Sequence, residues 1–252
     1  MRGLAGKVAI VTGAGSGLGR GMAQRLAEEQ VAVAVLDKNL AGAEETVAKL
    51  ACPGLAVGVD ITDYAECERA VGAVESALGA VDLLVNNAGW DAAAPFVETE
   101  PELWRKIVEI NLFGPLNMHH IVVRRMLARG GGKVVNIGSD AGRVGSSGES
   151  VYSACKGGII AFGKTLCREV AHRGVIINSV CPGPSDTPLF ATFAGAGEAG
   201  EKLRKSLARA IPLRRLGTAD DVAGIVAFLC SDEANYIVGQ TISVSGGLTM
   251  HG

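Results

Sequence analysis

The sequence predicts a single doubly wound α/β domain, in which a mostly parallel sheet carries helices on both faces. Short runs rich in Val and Ile alternate along the chain with longer segments whose apolar residues recur at helical spacing. No linker, internal repeat or run of charge divides the 252 residues. Alternating strands and helices pair the strands in parallel through right-handed crossovers, and such sheets bind ligands beyond the carboxyl ends of their strands.

Six runs predict buried strands, at residues 8–11, 31–36, 55–59, 83–85, 133–137 and 175–180. Five segments predict amphipathic helices, at residues 18–29, 41–50, 65–78, 102–127 and 154–172. Between Pro182 and Pro212 the chain is dense in Gly and Pro, which support regular strands poorly. We interpret residues 184–212 as a mobile substrate lid within the domain.

Composition favours a globular protein that acts on a small molecule. Hydrophobic residues make up 48% of the chain, enough for a continuous core. The formal charge of −2 gives no general attraction to nucleic acid or to anionic lipid. The six cysteines form no Cys-x-x-Cys pair and are expected to be free thiols. No secretory signal or membrane-length apolar run is visible, so we expect a soluble cytoplasmic protein.

The first predicted strand runs into a glycine-dense loop at residues 12–19, Thr-Gly-Ala-Gly-Ser-Gly-Leu-Gly, where a helix begins near Leu18. Glycines let the backbone approach a pyrophosphate, and the helix N-terminus offers unpaired N–H groups with partial positive charge. In a chain with 35 glycines an ordinary tight turn remains an alternative. The residues expected to contact the cofactor here are Gly13, Ser16, Gly17, Leu18 and Gly19.

Asp37 ends the second predicted strand, 18 residues after Gly19. A carboxylate at this place can accept hydrogen bonds from the adenosine ribose and repels a 2′-phosphate, which favours NAD over NADP. Two other interpretations stay open: Asp37 could cap the following helix, and Lys38 beside it could offset the repulsion.

A second constellation combines Ser139, at the end of the fifth predicted strand, with Tyr152 and Lys156. Residues i and i+4 share a helix face, so the Tyr and Lys side chains can meet in one site. Composition gives about 0.1 accidental Tyr-x-x-x-Lys pairs in a chain of this kind. The alternatives are a solvated helix face for Tyr152 and Lys156 and a turn cap for Ser139.

Tyr152 is the predicted acid–base group. A phenol has a reference pKa of about 10, and an ammonium ~5 Å away at an effective dielectric of ~20 would lower that value by roughly 2 to 2.5 units. We therefore expect Lys156 to bring the pKa of Tyr152 close to neutrality, with the positive charge of an oxidised nicotinamide acting in the same direction. Ser139 is expected to donate a hydrogen bond to the substrate oxygen.

The loop pattern T-G-x-x-x-G-x-G and the pattern Ser then Tyr-x-x-x-Lys resemble the short-chain dehydrogenase/reductase family. The resemblance extends over almost the whole chain and implies a seven-stranded Rossmann-type sheet, NAD-dependent interconversion of a secondary alcohol and a ketone, and a homotetramer. It also implies that Lys156 binds the nicotinamide ribose and that Asn111 anchors a water linked to Lys156. The further cofactor contacts that it implies are Asp60, Ile61, Asn87, Ala88, Gly89, Pro182, Gly183 and Thr187.

Several of these residues also allow simpler roles. Asp60 could cap a helix, and Asn87 with Gly89 could form an ordinary turn. Ser185 occupies a place that is often aliphatic in the family, so its contact is undefined.

Narrower stretches, among them Trp90-Asp91 and residues 142–149, resemble dehydrogenases of alicyclic β-hydroxyacyl-CoA thioesters such as 2-hydroxycyclohexanecarboxyl-CoA. A basic cluster beside the lid could bind the phosphates of an acyl-CoA, or could be a solvated helix face. Its members are Lys202, Arg204, Lys205, Arg209, Arg214 and Arg215. Arg143 could reach a thioester or a neighbouring loop, and Trp90 could line the pocket or simply pack.

Two other functions remain open. One is a general reductase of small ketones or 3-oxoacyl thioesters, and the other, from a different class, is a non-catalytic dinucleotide-binding protein. His119 and His120 lack a metal-ligand pattern, so no metal site is predicted.

Overall fold

A computed structural model describes residues 1–195 and 197–250; Ala196, within the predicted lid, lies outside the described residues. In this part of the chain one sheet has the strand order β3-β2-β1-β4-β5-β6-β7, and every pair is parallel. The strands are β1 Val8–Thr12, β2 Ala32–Asp37, β3 Gly54–Gly58, β4 Leu83–Asn86, β5 Gly132–Ile137, β6 Val175–Pro182 and β7 Thr241–Val244. The prediction of a doubly wound α/β sheet is confirmed.

The helices cover both faces of this sheet. Their bounds are α1 Gly17–Glu28, α2 Leu40–Val47, α3 Tyr64–Leu78, α4 Pro101–Val108, α5 Gly114–Arg129, α6 Ala141–Val144, α7 Ser150–Val170, α8 Pro188–Ala194, α9 Glu198–Ala210 and α10 Ala219–Cys230. Short 3₁₀ turns lie at Phe96–Glu98, Ala171–Arg173 and Asp232–Ala234, and a π-helical turn lies at Glu109–Phe113.

Two apolar layers hold the helices on the sheet. On one face α1 packs against β1 and α10 packs against β5 and β6, with side chains such as Leu26 and Leu229 almost fully buried. On the other face α3, α5 and α7 supply residues such as Val71 and Met126. Because both faces are covered, the central strands read as continuous apolar runs; every residue of β1 is buried.

The predicted helix at residues 102–127 is wrong as a single element, because the π-helical turn Glu109–Phe113 separates α4 from α5. Pro115 has no N–H to bond to the carbonyl of Asn111 four residues earlier, and its ring crowds that carbonyl. An i→i+5 turn at this place accommodates the proline, and such turns are frequent at functional sites. The turn carries Asn111, whose side chain is fully buried.

Some elements of the structure were not predicted from the sequence. Strand β7 and helices α8 to α10 were not assigned from the sequence, and α8 and α9 lie within the predicted lid. All six cysteines are free thiols, as expected. No helix in the described residues combines the length and the apolar character needed to cross a bilayer. Residues 1–195 and 197–250 hold no group of three or more His, Cys, Asp or Glu side chains that could bind a metal ion.

Candidate active site

Strand order reverses between β1 and β4, which opens a crevice at the carboxyl ends of these two strands. Thr12 closes the base of this crevice: its hydroxyl accepts hydrogen bonds from the backbone N–H of Asn87 (3.0 Å) and of Ala88 (3.1 Å). The Asn87 amide donates to the carbonyl oxygens of Thr12 (2.9 Å) and Gly13 (3.1 Å). Thr12 lies at the start of the glycine-dense loop and was not predicted as a site residue.

The glycine-dense loop lies directly against this junction. Gly13 has a φ of +63°, and a β-carbon there would lie 2.7 Å from the α-carbon of Ala88, so only glycine fits. Helix α1 begins at Gly17, close to the predicted position, and the hydroxyl of its N-cap residue Ser16 makes no capping hydrogen bond. The first N–H groups of α1, through Leu18 and Gly19, are thus not capped by a side chain and can serve an anion.

Asp37 lies at the end of β2 and joins the loop to the next helix. Its carboxylate accepts hydrogen bonds from the backbone N–H of Gly15 (2.8 Å) and of Asn39 (2.8 Å). The helix-cap alternative is wrong, because Asn39 caps α2 through its own side chain. Asp37 therefore lies beside the glycine loop, where the adenosine ribose of a dinucleotide would be recognised.

Lys38 does not offset this charge, because it points to Asp60. The ammonium lies 2.6 Å from the Asp60 carboxylate, which also accepts hydrogen bonds from the backbone N–H and hydroxyl of Thr62. This pairing raises the pKa of Lys38 and lowers the pKa of Asp60. Asp60 is not the cap of α3, since Asp63 fills that place. Ile61, the neighbour of Asp60, is buried.

Ser139, Tyr152 and Lys156 come together as the spacing predicts. Ser139 lies two residues beyond the end of β5, while the other two lie on the first turns of α7. The Lys156 ammonium is 5.5 Å from the centre of the Tyr152 ring and donates a hydrogen bond to the carbonyl of Ile137 (2.9 Å). A hydrogen bond from Ser139 favours the ionised form of the Tyr152 phenol. The three groups thus face one another beyond the carboxyl edge of the sheet.

The expectation that Lys156 brings the pKa of Tyr152 close to neutrality is wrong, because the protein's own groups together raise that pKa. Burial raises the pKa of Tyr152 above its usual range, and the negative charge of Glu149 adds to the rise; the Ser139 hydrogen bond opposes both. Burial also lowers the pKa of Lys156 to about 8, so its ammonium stays mostly charged at neutral pH and loses its charge in mildly alkaline solution. The prediction from the sequence included the charge of the ammonium but did not include desolvation, which raises the pKa of a buried phenol.

Asn111 and Gly89 complete this wall of the site. The Asn111 amide donates hydrogen bonds to the carbonyls of Trp90 (2.6 Å) and Ile107 (2.9 Å), and its oxygen accepts one from the N–H of Trp90 (3.2 Å). A β-carbon on Gly89 would lie 2.9 Å from the Asn111 oxygen and 3.3 Å from the Lys156 nitrogen. Asn111, Gly89 and Lys156 therefore meet at one point.

The end of β6 brings a further group of residues to the same edge. Pro182 is the last residue of β6, and the N–H of Gly183 donates to the carbonyl of Val244 (3.0 Å). Thr187 caps α8 by accepting a hydrogen bond from the N–H of Phe190 (3.1 Å). A β-carbon on Gly17 would lie 3.6 Å from that of Thr187, so the start of the predicted lid touches the glycine loop.

Comparison with known proteins identifies this arrangement. The model of a family described as enoyl-(acyl carrier protein) reductase matches residues 13–249. The chain belongs to the short-chain dehydrogenase/reductase superfamily.

The names of the relatives of this dehydrogenase indicate two kinds of substrate, acyl thioesters and polyols. It is 37% identical to the 3-oxoacyl-[acyl-carrier-protein] reductase of Escherichia coli (strain K12) over 245 residues, which are 97% of this chain and 98% of the relative. It is 36% identical to the sorbitol dehydrogenase of Cereibacter sphaeroides, over 97% and 98% of the two chains.

Two solved structures share the fold. A 3-ketoacyl-(acyl-carrier-protein) reductase from Brucella melitensis, complexed with NADH, has a TM-score of 0.89 at 32% identity. The match covers 98% of this chain and 100% of that structure's chain. Levodione reductase has a TM-score of 0.94 at 31% identity, with 96% and 97% of the two chains covered. The dehydrogenase is therefore an oxidoreductase of secondary alcohols and ketones that uses a nicotinamide dinucleotide.

The basic cluster of the dehydrogenase is only partly available to a ligand. Arg204 pairs with Asp186 (2.7 Å), and Arg215 pairs with Asp221 through two contacts of 2.5 and 2.7 Å. Arg214 donates to the carbonyl of Arg209. The exposed basic residues along α9 are Lys202, Lys205 and Arg209, and the acidic Glu198 and Glu201 are exposed on the same helix.

The residues whose roles were left open by the sequence make the following contacts. Arg143 donates to the hydroxyl of Ser243 in β7 (2.7 Å), which favours the neighbouring-segment alternative. The Trp90 ring lies under the Lys106 ammonium, 3.7 Å from its centre. His119 is buried in the core, and His120 forms a hydrogen bond with Tyr64 (2.7 Å). The Ser185 hydroxyl donates to the carbonyl of Gly183 (2.9 Å).

Proposed function

We propose that this dehydrogenase uses NAD to interconvert a β-hydroxyacyl thioester, such as 2-hydroxycyclohexanecarboxyl-CoA, and its β-keto thioester. The convergence of Ser139, Tyr152 and Lys156 at the carboxyl edge of the sheet carries the reaction type. The thioester is supported by the 37% identical relative named as a 3-oxoacyl-[acyl-carrier-protein] reductase and by the exposed basic side chains Lys202, Lys205 and Arg209 of α9.

Tyr152 exchanges the proton of the reacting oxygen. In the direction of ketone reduction its phenol donates that proton, and in the direction of alcohol oxidation its phenolate accepts it. Ser139 donates a hydrogen bond that holds the substrate oxygen beside the phenol. A bound nicotinamide supplies the hydride chemistry at the neighbouring carbon. The raised pKa of Tyr152 suits its role as the proton donor, and the positive charge of an oxidised nicotinamide would lower that pKa for oxidation.

The residues around the crevice fit a dinucleotide. The uncapped start of α1 would hold the pyrophosphate, and the carboxylate of Asp37 would accept the ribose hydroxyls. Lys156, whose pKa is lowered to about 8 by burial, would bind the nicotinamide ribose together with Tyr152. Because Lys38 is committed to Asp60, the charge of Asp37 stays available to discriminate against a 2′-phosphate. NAD is therefore the proposed cofactor.

Other contacts follow the same geometry. Asp60 and Ile61 would border the adenine, Asn87, Ala88 and Gly89 the central part, and Pro182, Gly183 and Thr187 the nicotinamide. Asn111 would anchor a water that links Lys156 to solvent. Residues 184–212 would form the lid over the substrate, and four copies of the chain would form a homotetramer, which sedimentation velocity would measure directly.

The thioester proposal is tested by comparing kcat/KM for 2-hydroxycyclohexanecarboxyl-CoA and for the matching free hydroxy ester, in the wild type and in a Lys202→Ala/Lys205→Ala variant. We expect a clear preference for the thioester, and a KM that rises several-fold in the variant for that substrate alone. Glu198→Gln on the same helix is the matched control.

Equal rates with and without the coenzyme A moiety would reject this substrate class. They would favour a general reductase of small ketones, an alternative supported by the identity to a sorbitol dehydrogenase. Preference for an acyl carrier protein over coenzyme A would instead indicate a 3-oxoacyl thioester reductase.

A further inference from the structure

Two acidic side chains approach Tyr152 from different parts of the chain. Glu149 is the N-cap residue of α7 and precedes Tyr152 by three residues, so both lie on the same side of the helix. Asp91 comes from the loop that follows β4. Both residues line one small cavity of about 10 Å³, room for about one water molecule.

The position of Asp91 is fixed by backbone contacts on either side. Trp90 is tied to the Asn111 amide through its N–H and its carbonyl, and the N–H of Ala94 donates to the carbonyl of Gly148 (3.0 Å). The second contact joins the loop to the residue next to Glu149. The two carboxyl groups are therefore held together by the same segments that position Lys156 and Tyr152.

Neither carboxyl has its ordinary partner. Both carboxylate oxygens of Asp91 are buried and accept no hydrogen bond of good geometry, although the Ala92 backbone and the Glu149 carboxyl lie close enough to act on them; the Glu149 side chain makes no capping hydrogen bond to α7. Among residues 1–195 and 197–250, no Lys or Arg forms a salt bridge with either group. Two ionised carboxylates offer acceptors only, so a proton held between them is the simplest donor for this space.

Electrostatics agrees with this geometry. Burial raises the pKa of Asp91 to about 7, the backbone of Ala92 opposes the rise, and the charge and hydrogen bonding of Glu149 add to it. The same two carboxylates raise the pKa of Tyr152. The other titratable groups that face this region are Lys156 and Cys155 on α7 and Cys181 on β6; Lys106 on α4 lies over the ring of the neighbouring Trp90.

We infer that Asp91 and Glu149 share one proton and act as a positioning pair for Tyr152. When both carboxyls are ionised, their charge keeps the phenol protonated. When the pair retains its proton, the phenol can ionise. This inference rests on the proposed role of Tyr152. The pair extends to higher pH the range in which Tyr152 carries the proton that a ketone receives. It also makes the two titrations depend on each other, so the wild-type profile is broader than that of a single group.

The test compares pH profiles of kcat/KM for alcohol oxidation in the wild type, Glu149→Gln and Asp91→Asn. Removing one carboxylate ~10 Å from the phenol at an effective dielectric of ~20 should move the rising limb about one pH unit toward acid. In each single variant the rising limb should also become steeper, with the slope of a single ionisation. In the double variant the limb should move further toward acid pH. Glu149→Asp should restore most of the wild-type profile, and Glu98→Gln, an exposed neighbour, should not move it.

Infrared spectroscopy of the folded wild type tests the pair without mutation. At pH 6 ordinary exposed carboxyls are ionised, so a protonated carboxyl band that disappears through pH 7 to 8 supports the shared proton. Absence of that band, or single variants that fold and retain the wild-type profile, overturns the inference. If Tyr152→Phe retains turnover, the proposed function fails instead, whatever the band shows.

Discussion

Asp37→Asn should change the cofactor preference of this dehydrogenase. The Asp37 carboxylate lies beside the glycine loop without a cation to neutralise it, since Lys38 is paired with Asp60. A 2′-phosphate carries about two negative charges. At ~6 Å from the carboxylate, with an effective dielectric of ~40, it would be repelled by about 3 kcal/mol, or about a hundredfold in binding.

The same variant should weaken NAD. Ribose hydroxyls that donate to a charged acceptor lose about 1.4 kcal/mol, or about tenfold, when the acceptor becomes neutral. The ratio of kcat/KM for NAD to that for NADP should therefore fall about a thousandfold. Asp37 also holds the N–H of Gly15 (2.8 Å), so the variant will loosen the loop for both cofactors. The ratio cancels that common loss.

Steady-state rates with both cofactors and direct titration of NADH and NADPH fluorescence give the measurement. Glu45→Gln, which removes an exposed carboxylate from α2, should leave the ratio within about threefold of the wild type. A ratio in Asp37→Asn that also stays within threefold of the wild type, or a wild type that prefers NADP, would refute the assignment of Asp37.

Two further predictions concern stability. Burial lowers the pKa of His119 to about 4, so the unfolded chain binds a proton that the folded chain refuses, and the contribution of His119 to stability should fall by about 3 kcal/mol as the pH drops from 6.5 to 4. Urea titration measures this contribution as the stability difference between the wild type and His119→Phe, in which groups of opposite sign such as Asp91 cancel; the difference between the wild type and His172→Gln should not change with pH. Leu229→Ala opens a cavity between α10 and the sheet and should lower the free energy of unfolding by roughly 3 kcal/mol in the same assay. As a control, Leu213→Ala at an exposed site should lower the free energy of unfolding by less than about 0.5 kcal/mol. A stability difference between the wild type and His119→Phe that does not change with pH, or equal losses at the two leucines, would contradict these expectations.

The sequence predicted those parts of the fold that depend on local pattern. The six assigned strands agree with the structure to within two residues, because buried parallel strands are continuous runs of Val, Ile and Leu. Strand β7 was missed because its four residues are only partly buried and include Thr and Ser. Helix α9 was missed because the glycines before it suggested a loop, although its own residues, from Glu198 to Ala210, favour a helix.

The candidate site was predictable as a set of residues and less so as an electrostatic system. Spacing placed Tyr152 and Lys156 on one face of α7, and Ser139 at the end of β5. Burial and the approach of Asp91 and Glu149 reverse the sign of the expected pKa shift at Tyr152. Asp91 and Tyr152 lie far apart in the chain, and only the folded loops bring their charges together.

The central claim is that the hydroxyl of Tyr152 carries the proton of the reaction. The most direct measurement is the turnover of Tyr152→Phe with a secondary alcohol and NAD, together with NADH binding by fluorescence. We predict that turnover falls at least about a hundredfold, the range of general acid–base catalysis, while NADH affinity changes by less than about tenfold. Turnover equal to the wild type, with the variant folded and NADH bound, would contradict the account.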